Sequence, residues 1–172
     1  REQQVAQAMT WSDPARDVGV ARELALRALR DAPLHCVWSG RRLTDSNADI
    51  DHCFPWAAWP CDHLWNLMPA HRAVNRHQKR DRVPSDTTLR SARERILEWW
   101  ERGYARGNDA IVQRFRTEAR AGLPAMPEGT FGLEDVFAAV AIQRVRLRQD
   151  QGAAEWTVDD GGRRTSAASK PS

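Results

Sequence analysis

The spacing of apolar residues changes along the chain. It distinguishes helical N- and C-terminal segments from a central segment without helical spacing. Apolar positions recur at helical spacing in the first thirty residues and again after residue 85, whereas the stretch between them alternates or is irregular. These changes predict four segments: an N-terminal helical segment (1–34), a central core (35–85), C-terminal helices that pack on this core (86–156) and a disordered tail (157–172).

Four helices are predicted in the outer segments. Asp13-Pro14 has the residue types of a helix start, and the apolar positions from Val20 to Ala28 extend that helix to about Arg30. Ser85 or Asp86 can cap the next helix. The helices of the C-terminal segment are predicted over about residues 85–103, 111–122 and 133–149.

The central segment has the pattern of a small β-structure followed by a helix. Residues 35–38 form a strand-like run, residues 48–52 alternate as a second strand would, and we expect the two to pair as a hairpin. Residues 54–60 are rich in Trp and Pro, which favours a packed loop. Pro69 is predicted to begin a helix that ends near Lys79. The predicted fold class is therefore α+β, mostly α-helical, with an embedded short β-hairpin plus helix.

Composition narrows the class of protein only moderately. The chain has 172 residues, 41% of them hydrophobic, and a net charge of +3, which permits nucleic-acid binding without arguing for it. It has no signal-peptide pattern and no apolar run long enough to cross a membrane. Three cysteines without a CxxC pair suit reduced thiols, so we expect a soluble cytoplasmic protein. The first residue is not Met, so the chain can be a processed form or part of a longer protein.

Candidate chemistry lies in the central segment. Asp51-His52 ends the second predicted strand, Asn66 follows a loop, and Asn75 lies on the predicted helix. Carboxylate and amide oxygens are ligands for Mg²⁺ or Mn²⁺, and a neutral imidazole can take a proton from water near neutral pH. This combination is suited to phosphodiester hydrolysis, in which a metal neutralises charge on the phosphate.

Basic side chains surround this candidate site. Residues 71–85 carry five cations against Asp81 alone, a local balance of +4. A helix would place His71, Asn75 and Lys79 on one face, since they are four residues apart. Contacts with nucleic-acid phosphates are predicted for Arg72, Arg76, Lys79, Arg80 and Arg82. Taken alone, the run fits a solvated helix face equally well.

The central segment resembles the HNH endonuclease motif. The resemblance covers roughly residues 35–85, and the nearer likeness is to members with Asn at the third motif position, including the HNH domains of RNA-guided CRISPR effectors. The matching runs are Asp51-His52-Cys53-Phe54-Pro55, Asn66-Leu67, Asn75-Arg76 and Lys79-Arg80-Asp81-Arg82-Val83-Pro84-Ser85.

The resemblance implies a ββα-metal fold and a role for each motif position. His52 would activate the attacking water, Asp51 and Asn75 would hold one divalent metal, Mg²⁺ or Mn²⁺, and Asn66 would brace the loop and help to orient His52. Lys79 would contact phosphate or stabilise the helix end. The substrate would be DNA, cut to leave a 5′-phosphate and a 3′-hydroxyl, and a homodimer or a larger defence complex would be a plausible partner.

One departure from many relatives concerns zinc. Their structural zinc is held by two CxxC pairs, and the corresponding positions here are Cys36 with Ser39 and His71 with Val74. Since a closed zinc site normally needs four ligands, we expect no structural zinc, with Trp38 and Val74 packing in its place. His71 is kept only as a further site candidate.

Several residues also have simpler interpretations. Asp62-His63 is a second Asp-His pair, but it follows a loop rather than a strand, so Asp51-His52 is preferred. Cys53 beside His52 is expected to be buried rather than nucleophilic. The Trp residues near the site, Trp56, Trp59 and Trp65, favour loop support over base stacking.

Three functions fit the sequence. The first is a metal-dependent DNA endonuclease, which bacterial restriction or antiphage defence systems would use as an effector. The second is a catalytically silent nucleic-acid-binding module, against which stands the retention of all four central motif residues. The third is an interaction domain built on the flanking helices, whose nuclease a partner would release.

Overall fold

The computed structural model describes residues 17–159. The predicted helix start at Asp13-Pro14 and residues 160–172 of the predicted tail lie outside this range. The described elements, in chain order, are α1 (Gly19–Asp31), β1 (Ala48–His52), a 3-10 turn (Leu64–Asn66), β2 (Leu67–His71), a π-helical turn (Val74–Lys79), β3 (Val83–Pro84), α2 (Asp86–Trp99), its π-helical extension (Trp100–Ala105), α3 (Asp109–Gly122), α4 (Leu133–Gln151) and β4 (Glu155–Trp156).

The predicted helices outside the central segment are confirmed within these residues, except that α1 begins later than predicted, at Gly19, since Asp17 and Val18 are not helical. Ser85 is the N-cap of α2 and its hydroxyl accepts from the Thr88 amide, while Asn108 caps α3 by accepting from the Ile111 amide. Glycine at 152, with φ of 61°, ends α4 in the left-handed conformation that glycine adopts without strain. Local sequence signals therefore determine where these helices begin and end.

The predicted partner of the second strand is wrong. β1 pairs antiparallel with β2, with Ala48 opposite His71 and His52 opposite Leu67. Residues 35–42 instead close on themselves through an isolated bridge between His35 and Arg42. The α+β class with a two-stranded antiparallel sheet is confirmed. The strand that pairs with β1 is β2, whose residues 69–71 had been predicted to begin a helix.

Pro69 misled the prediction because it lies within β2 rather than at a helix start. Its ring lacks an N–H, yet its carbonyl still accepts from the Val37 amide at 3.1 Å. A two-stranded sheet consists only of edge strands, where proline is tolerated. The helix consequently begins at Arg72, three residues later than predicted, and ends at Lys79 as predicted.

The helices after residue 85 pack on the central hairpin. The indole N–H of Trp99 and the hydroxyl of Tyr104 both donate to the Leu67 carbonyl, at 3.0 and 3.1 Å. The Arg95 guanidinium donates to the carbonyls of Val37 and Trp38, at 2.7 and 3.3 Å. These contacts hold the start of β2 and the 35–42 loop against α2 and its π-helical extension.

The chain after α4 returns to the central segment. β4 pairs in parallel with β3, and the buried Trp156 ring meets the Trp38 ring edge-on at 6.2 Å. The predicted tail boundary is wrong here by at least two residues, since the Thr157 hydroxyl and the Val158 amide donate to Ser85 and Thr88 at the start of α2. Among residues 17–159, no helix has the length and apolar character needed to span a membrane.

Replacing Trp156 with alanine tests whether the packing of β4 against β3 and Trp38 stabilises the fold. Trp156→Ala should lower the free energy of unfolding by about 3 kcal/mol, because it removes a large buried ring from contact with Trp38. Ile142→Ala is the matched control, since Ile142 is 46% exposed on α4. Urea denaturation measures both variants, and an equal, small change in the two would show that β4 is not docked.

Candidate active site

The end of β1 and the helix after β2 meet at a cavity of about 460 Å³. Its wall includes Asp51, His52, Asn75, Arg76 and Arg80. The antiparallel pairing of β1 with β2 explains this meeting, because the 72–79 helix follows β2 directly and folds back beside β1. Residues separated by more than twenty positions in sequence thus face one space.

Asp51 lies at the floor of the cavity and is 3% exposed. One of its oxygens accepts from the Trp38 indole at 2.7 Å and lies 3.2 Å from the Lys79 ammonium. Burial raises the pKa of the Asp51 carboxyl, and the nearby Lys79 charge and the Trp38 hydrogen bond oppose that rise. Two fixed donors therefore orient this carboxylate.

Lys79 does not contact solvent, so the predicted phosphate contact at this residue is wrong. Its side chain is fully buried, and its ammonium donates to the His52 carbonyl at 2.6 Å as well as pairing with Asp51. It also lies 5.7 Å from the centre of the Trp38 ring. A buried carboxylate needs a compensating charge, and Lys79 provides it.

Asn75 is oriented by a second acidic residue that sequence reasoning missed. Its side-chain N–H group donates to Asp49 at 3.2 Å and to the Ile50 carbonyl at 3.4 Å. The Asn75 carbonyl oxygen is thereby left available as an acceptor or ligand. Asp49 also pairs with Arg22 of α1 at 3.2 Å. The i, i+2 spacing of Asp49 and Asp51 on a strand was the available signal, since it places both on one face.

His52 is held between a carboxylate and an aromatic ring. Its Nε2 lies 2.6 Å from Asp62, and its ring meets Trp56 edge-on at 5.9 Å. Sequence reasoning set Asp62-His63 aside because a loop rather than a strand precedes it. Asp62 in fact joins the first pair, whereas His63 accepts from the Trp65 indole at 3.2 Å and lies against Gly122 of α3.

Asn66 is buried under the loop that precedes it and does not line the cavity. Its side chain accepts from the Phe54 amide and donates to the carbonyls of Phe54 and Cys61, at 2.8, 3.2 and 2.9 Å. It thus binds both ends of the 54–61 loop. These contacts hold the loop, and the Asn66 side chain does not face the cavity.

The remaining predicted cations occupy different positions. Arg76 and Arg80 are exposed at the cavity wall, and the exposed Arg72 lines a neighbouring groove beside Asp49. The Arg82 guanidinium donates to the carbonyls of Lys79 and Gln78, which caps the end of the helix. Three of the five cations predicted to contact phosphate, Arg72, Arg76 and Arg80, therefore have exposed side chains.

His71 is separated from the cavity by the length of the sheet. It pairs with Ala48 at the end of β2 opposite to His52, and its ring accepts from the Ala73 amide at 3.2 Å. Burial and the charges of Arg41 and Arg72 lower its pKa. His71 is therefore not part of the constellation around Asp51 and His52.

Of the four positions that correspond to zinc ligands in relatives, Cys36 and Val74 are buried, whereas Ser39 and His71 are partly exposed. Cys36, Trp38 and Val74 are buried, and the Cys36 sulfur accepts from the Ser39 amide at 3.5 Å. Among residues 17–159, no three His, Cys, Asp or Glu side chains are grouped to hold a metal ion.

Cys53 has the environment of a core residue rather than of a nucleophile. It is fully buried, and burial raises the pKa of its thiol to about 12. Since the thiolate is the reactive form, this thiol is unreactive at neutral pH.

Comparison with known proteins finds a similarity in the central segment. A family model described as HNH endonuclease matches residues 36–85, less than a third of the chain, so this segment is similar to HNH endonuclease domains. The similarity indicates nuclease activity on a nucleic-acid substrate. A search of curated proteins returns no match to the chain.

The Lys79–Asp51 pair generates a prediction for stability. Lys79→Met should lower the free energy of unfolding by about 3 kcal/mol, because it leaves the Asp51 carboxylate buried without a partner charge. Adding Asp51→Asn in the same chain should recover part of that loss.

Arg80→Met is the matched control, since it removes an exposed cation from the next position. Its effect should stay within about 0.5 kcal/mol in the same denaturation experiment. Strict additivity of the Lys79 and Asp51 substitutions would contradict the pairing.

Proposed function

We propose that the cavity is the active site of a metal-dependent endonuclease that hydrolyses phosphodiester bonds in DNA. The observation that carries this proposal is the meeting of Asp51, His52 and Asn75 with Arg76 and Arg80 at one cavity. Hard oxygen ligands, an imidazole base and exposed cations are the groups that phosphodiester hydrolysis needs. The products would carry a 5′-phosphate and a 3′-hydroxyl, as the family resemblance implies.

His52 is the general base in this proposal. It takes a proton from the water that attacks phosphorus, so that the attacking oxygen develops hydroxide character as its bond to phosphorus forms. The bond from phosphorus to the 3′ oxygen breaks, and solvent water protonates that oxygen to give the 3′-hydroxyl. The contact with Asp62 and the edge-on Trp56 ring restrict the imidazole, which supports a role in positioning the proton acceptor. General-base catalysis of this kind contributes about 10² to 10⁴ in rate.

Asp51 and Asn75 are the residues that would hold a divalent cation, Mg²⁺ or Mn²⁺. Their side chains fit this role because both line the cavity, both present oxygen, and each is oriented by a partner, Lys79 and Trp38 for Asp51 and Asp49 for Asn75. A metal bound there would stabilise negative charge on the phosphate and on the leaving oxygen. Two protein ligands leave room for water and substrate oxygens, which is typical of Mg²⁺ sites.

The exposed arginines are proposed to bind the DNA backbone. Arg76 and Arg80 lie at the cavity wall and Arg72 lies beside it, so phosphates on either side of the cut bond could be contacted at once. Arg76 is exposed and lies 3.6 Å from the largely buried Asp49, which also pairs with Arg22, so Arg76 can turn to a phosphate while Asp49 keeps a cationic partner. Arg82 and Lys79 are excluded from this set, because both are used within the fold.

The wider role is proposed from resemblance. A single HNH centre cuts one strand at a time, so double-strand cleavage requires a second encounter or a second copy of the chain. A chain with one active centre could act as the effector of a restriction or antiphage defence system. It could also dock into a larger defence complex that supplies the second centre. A catalytically silent DNA-binding module is the alternative that the following experiment separates.

Cleavage of supercoiled plasmid tests the proposal. In Mg²⁺ or Mn²⁺ the native chain should nick or linearise the plasmid, and His52→Ala should reduce the rate at least about 10²-fold, because the base is lost. EDTA should abolish cleavage by the native chain.

His63→Ala is the matched control, since it removes an imidazole from the second Asp-His pair, outside the cavity wall. It should cleave within a few-fold of the native rate once folding is verified. Full activity of His52→Ala would contradict the assignment of the base, and plasmid binding without cleavage would favour the silent module.

A further inference from the structure

We infer that Asp62 is a positioning residue for His52, a role that rests on the proposed function of this site. The carboxylate holds a proton on Nε2 of the imidazole, which leaves Nδ1 as the nitrogen that accepts the proton of the attacking water. None of the HNH motif positions quoted above includes Asp62, and it lies ten residues after His52 in a loop.

The contact between the two side chains is short and shielded. Nε2 of His52 lies 2.6 Å from Oδ1 of Asp62, and their side chains are only 12% and 16% exposed. An ionised carboxylate can only accept hydrogen bonds, so the imidazole must donate through Nε2. The neutral ring then carries its single proton on Nε2, and Nδ1 has a free lone pair.

Asp62 is itself fixed through its other oxygen. Oδ2 accepts from the backbone amide of Asp17, just before α1, at 2.6 Å. A carboxylate held at both oxygens cannot rotate away without losing a hydrogen bond. The residues preceding α1 therefore contribute to the orientation of the base, although they lie outside the segment that matches the HNH family.

The loop around Asp62 is anchored on both sides. The Cys61 carbonyl accepts from the Asn66 side chain at 2.9 Å, and the Leu64 amide donates to Glu118 of α3 at 2.6 Å. These contacts hold the backbone of residue 62 at a fixed distance from β1. The role of Asn66 in orienting His52 thus runs through the loop and Asp62 rather than through a direct contact.

Nδ1, the second nitrogen of the imidazole, is available to accept a proton from water in the cavity. His52 lines the cavity together with Asp51 and Asn75, and within residues 17–159 its Nδ1 has no hydrogen-bond partner. The Trp56 ring packs edge-on against the imidazole, which restricts flipping of the ring. One nitrogen is therefore committed to Asp62, and the other is left for water.

The substitution Asp62→Asn distinguishes control of the His52 tautomer from a purely structural ion pair. Asparagine has nearly the same shape as aspartate, but its amide group can donate to Nε2 and so favour the tautomer with the proton on Nδ1. In serine proteases, the corresponding change leaves the geometry intact and lowers kcat by about 10⁴ through the wrong tautomer. Asp62→Asn therefore separates tautomer control from packing.

The first measurement is the tautomer of His52 by long-range ¹H–¹⁵N NMR on the metal-free chain, at a pH above which the His52 signals no longer change. The His52 signals are assigned by their loss in His52→Ala. The native ring should carry its proton on Nε2, and Asp62→Asn should shift the population toward Nδ1. Asp150→Asn, which neutralises an exposed carboxylate on α4, should leave the spectrum of His52 unchanged.

The second measurement is plasmid cleavage by the same variants. Asp62→Asn should lower kcat by about 10²-fold with KM for DNA little changed, because substrate binding does not depend on the tautomer. Asp62→Glu, which restores the acceptor on a longer side chain, should recover part of the loss. Asp150→Asn should match the native rate.

The outcomes separate this inference from the proposed function. A native His52 with its proton on Nδ1 would overturn the inference, as would native activity in Asp62→Asn. If the native chain does not cleave DNA, the proposed function fails, and the NMR result still decides whether Asp62 sets the tautomer.

Discussion

The buried carboxylate of Asp51 is the constraint on which the central segment depends. An ionised group at 3% exposure is costly unless charge and hydrogen bonds compensate for it. Here the compensation comes from Lys79, at the end of the helix after β2, and from Trp38, in the loop before β1. Three chain segments must therefore converge on one side chain. That convergence places the strand end beside the helix, and the cavity is the space between them.

The helices outside the HNH segment complete this arrangement. Arg95 binds the carbonyls around Trp38, Trp99 holds the start of β2, and Trp156 packs on the Trp38 ring. Asp17 contributes an amide to Asp62 from the opposite end of the chain. Residues 36–85 supply the motif, whereas residues on both sides hold Trp38, β2 and Asp62 in place. The motif of about fifty residues is therefore held in place by contacts from the helical segments on both sides of it.

The sequence predicted the features that local patterns encode. Helical spacing and the caps at Ser85 and Asn108 predict the helices, and the motif order predicts that Asp51, His52 and Asn75 face one space. Contacts that join distant residues were beyond such reasoning. Pro69 is locally a helix-start signal, and only its tertiary setting makes it part of a strand.

The same limit applies within the site. Lys79 was expected at the surface because a lysine in a basic run is usually solvated, and its burial depends on a carboxylate 28 positions away. Asp62 was dismissed because nothing in its neighbouring residues shows that its loop folds back onto β1. Asp49 had a local signal, the i, i+2 spacing with Asp51, but its partner Asn75 lies 26 positions further on.

The central claim is that Asp51 and Asn75 together form one metal-binding, base-assisted hydrolytic centre with His52. Its most direct test is an anomalous difference map from crystals of the native chain grown with Mn²⁺. The same map is collected from crystals of Asp51→Asn grown under the same conditions. The account predicts one strong peak between the Asp51 carboxylate and the Asn75 carbonyl oxygen, absent in the variant. A peak held by Cys36 and His71 instead, or one that persists at the cavity in Asp51→Asn, would contradict it.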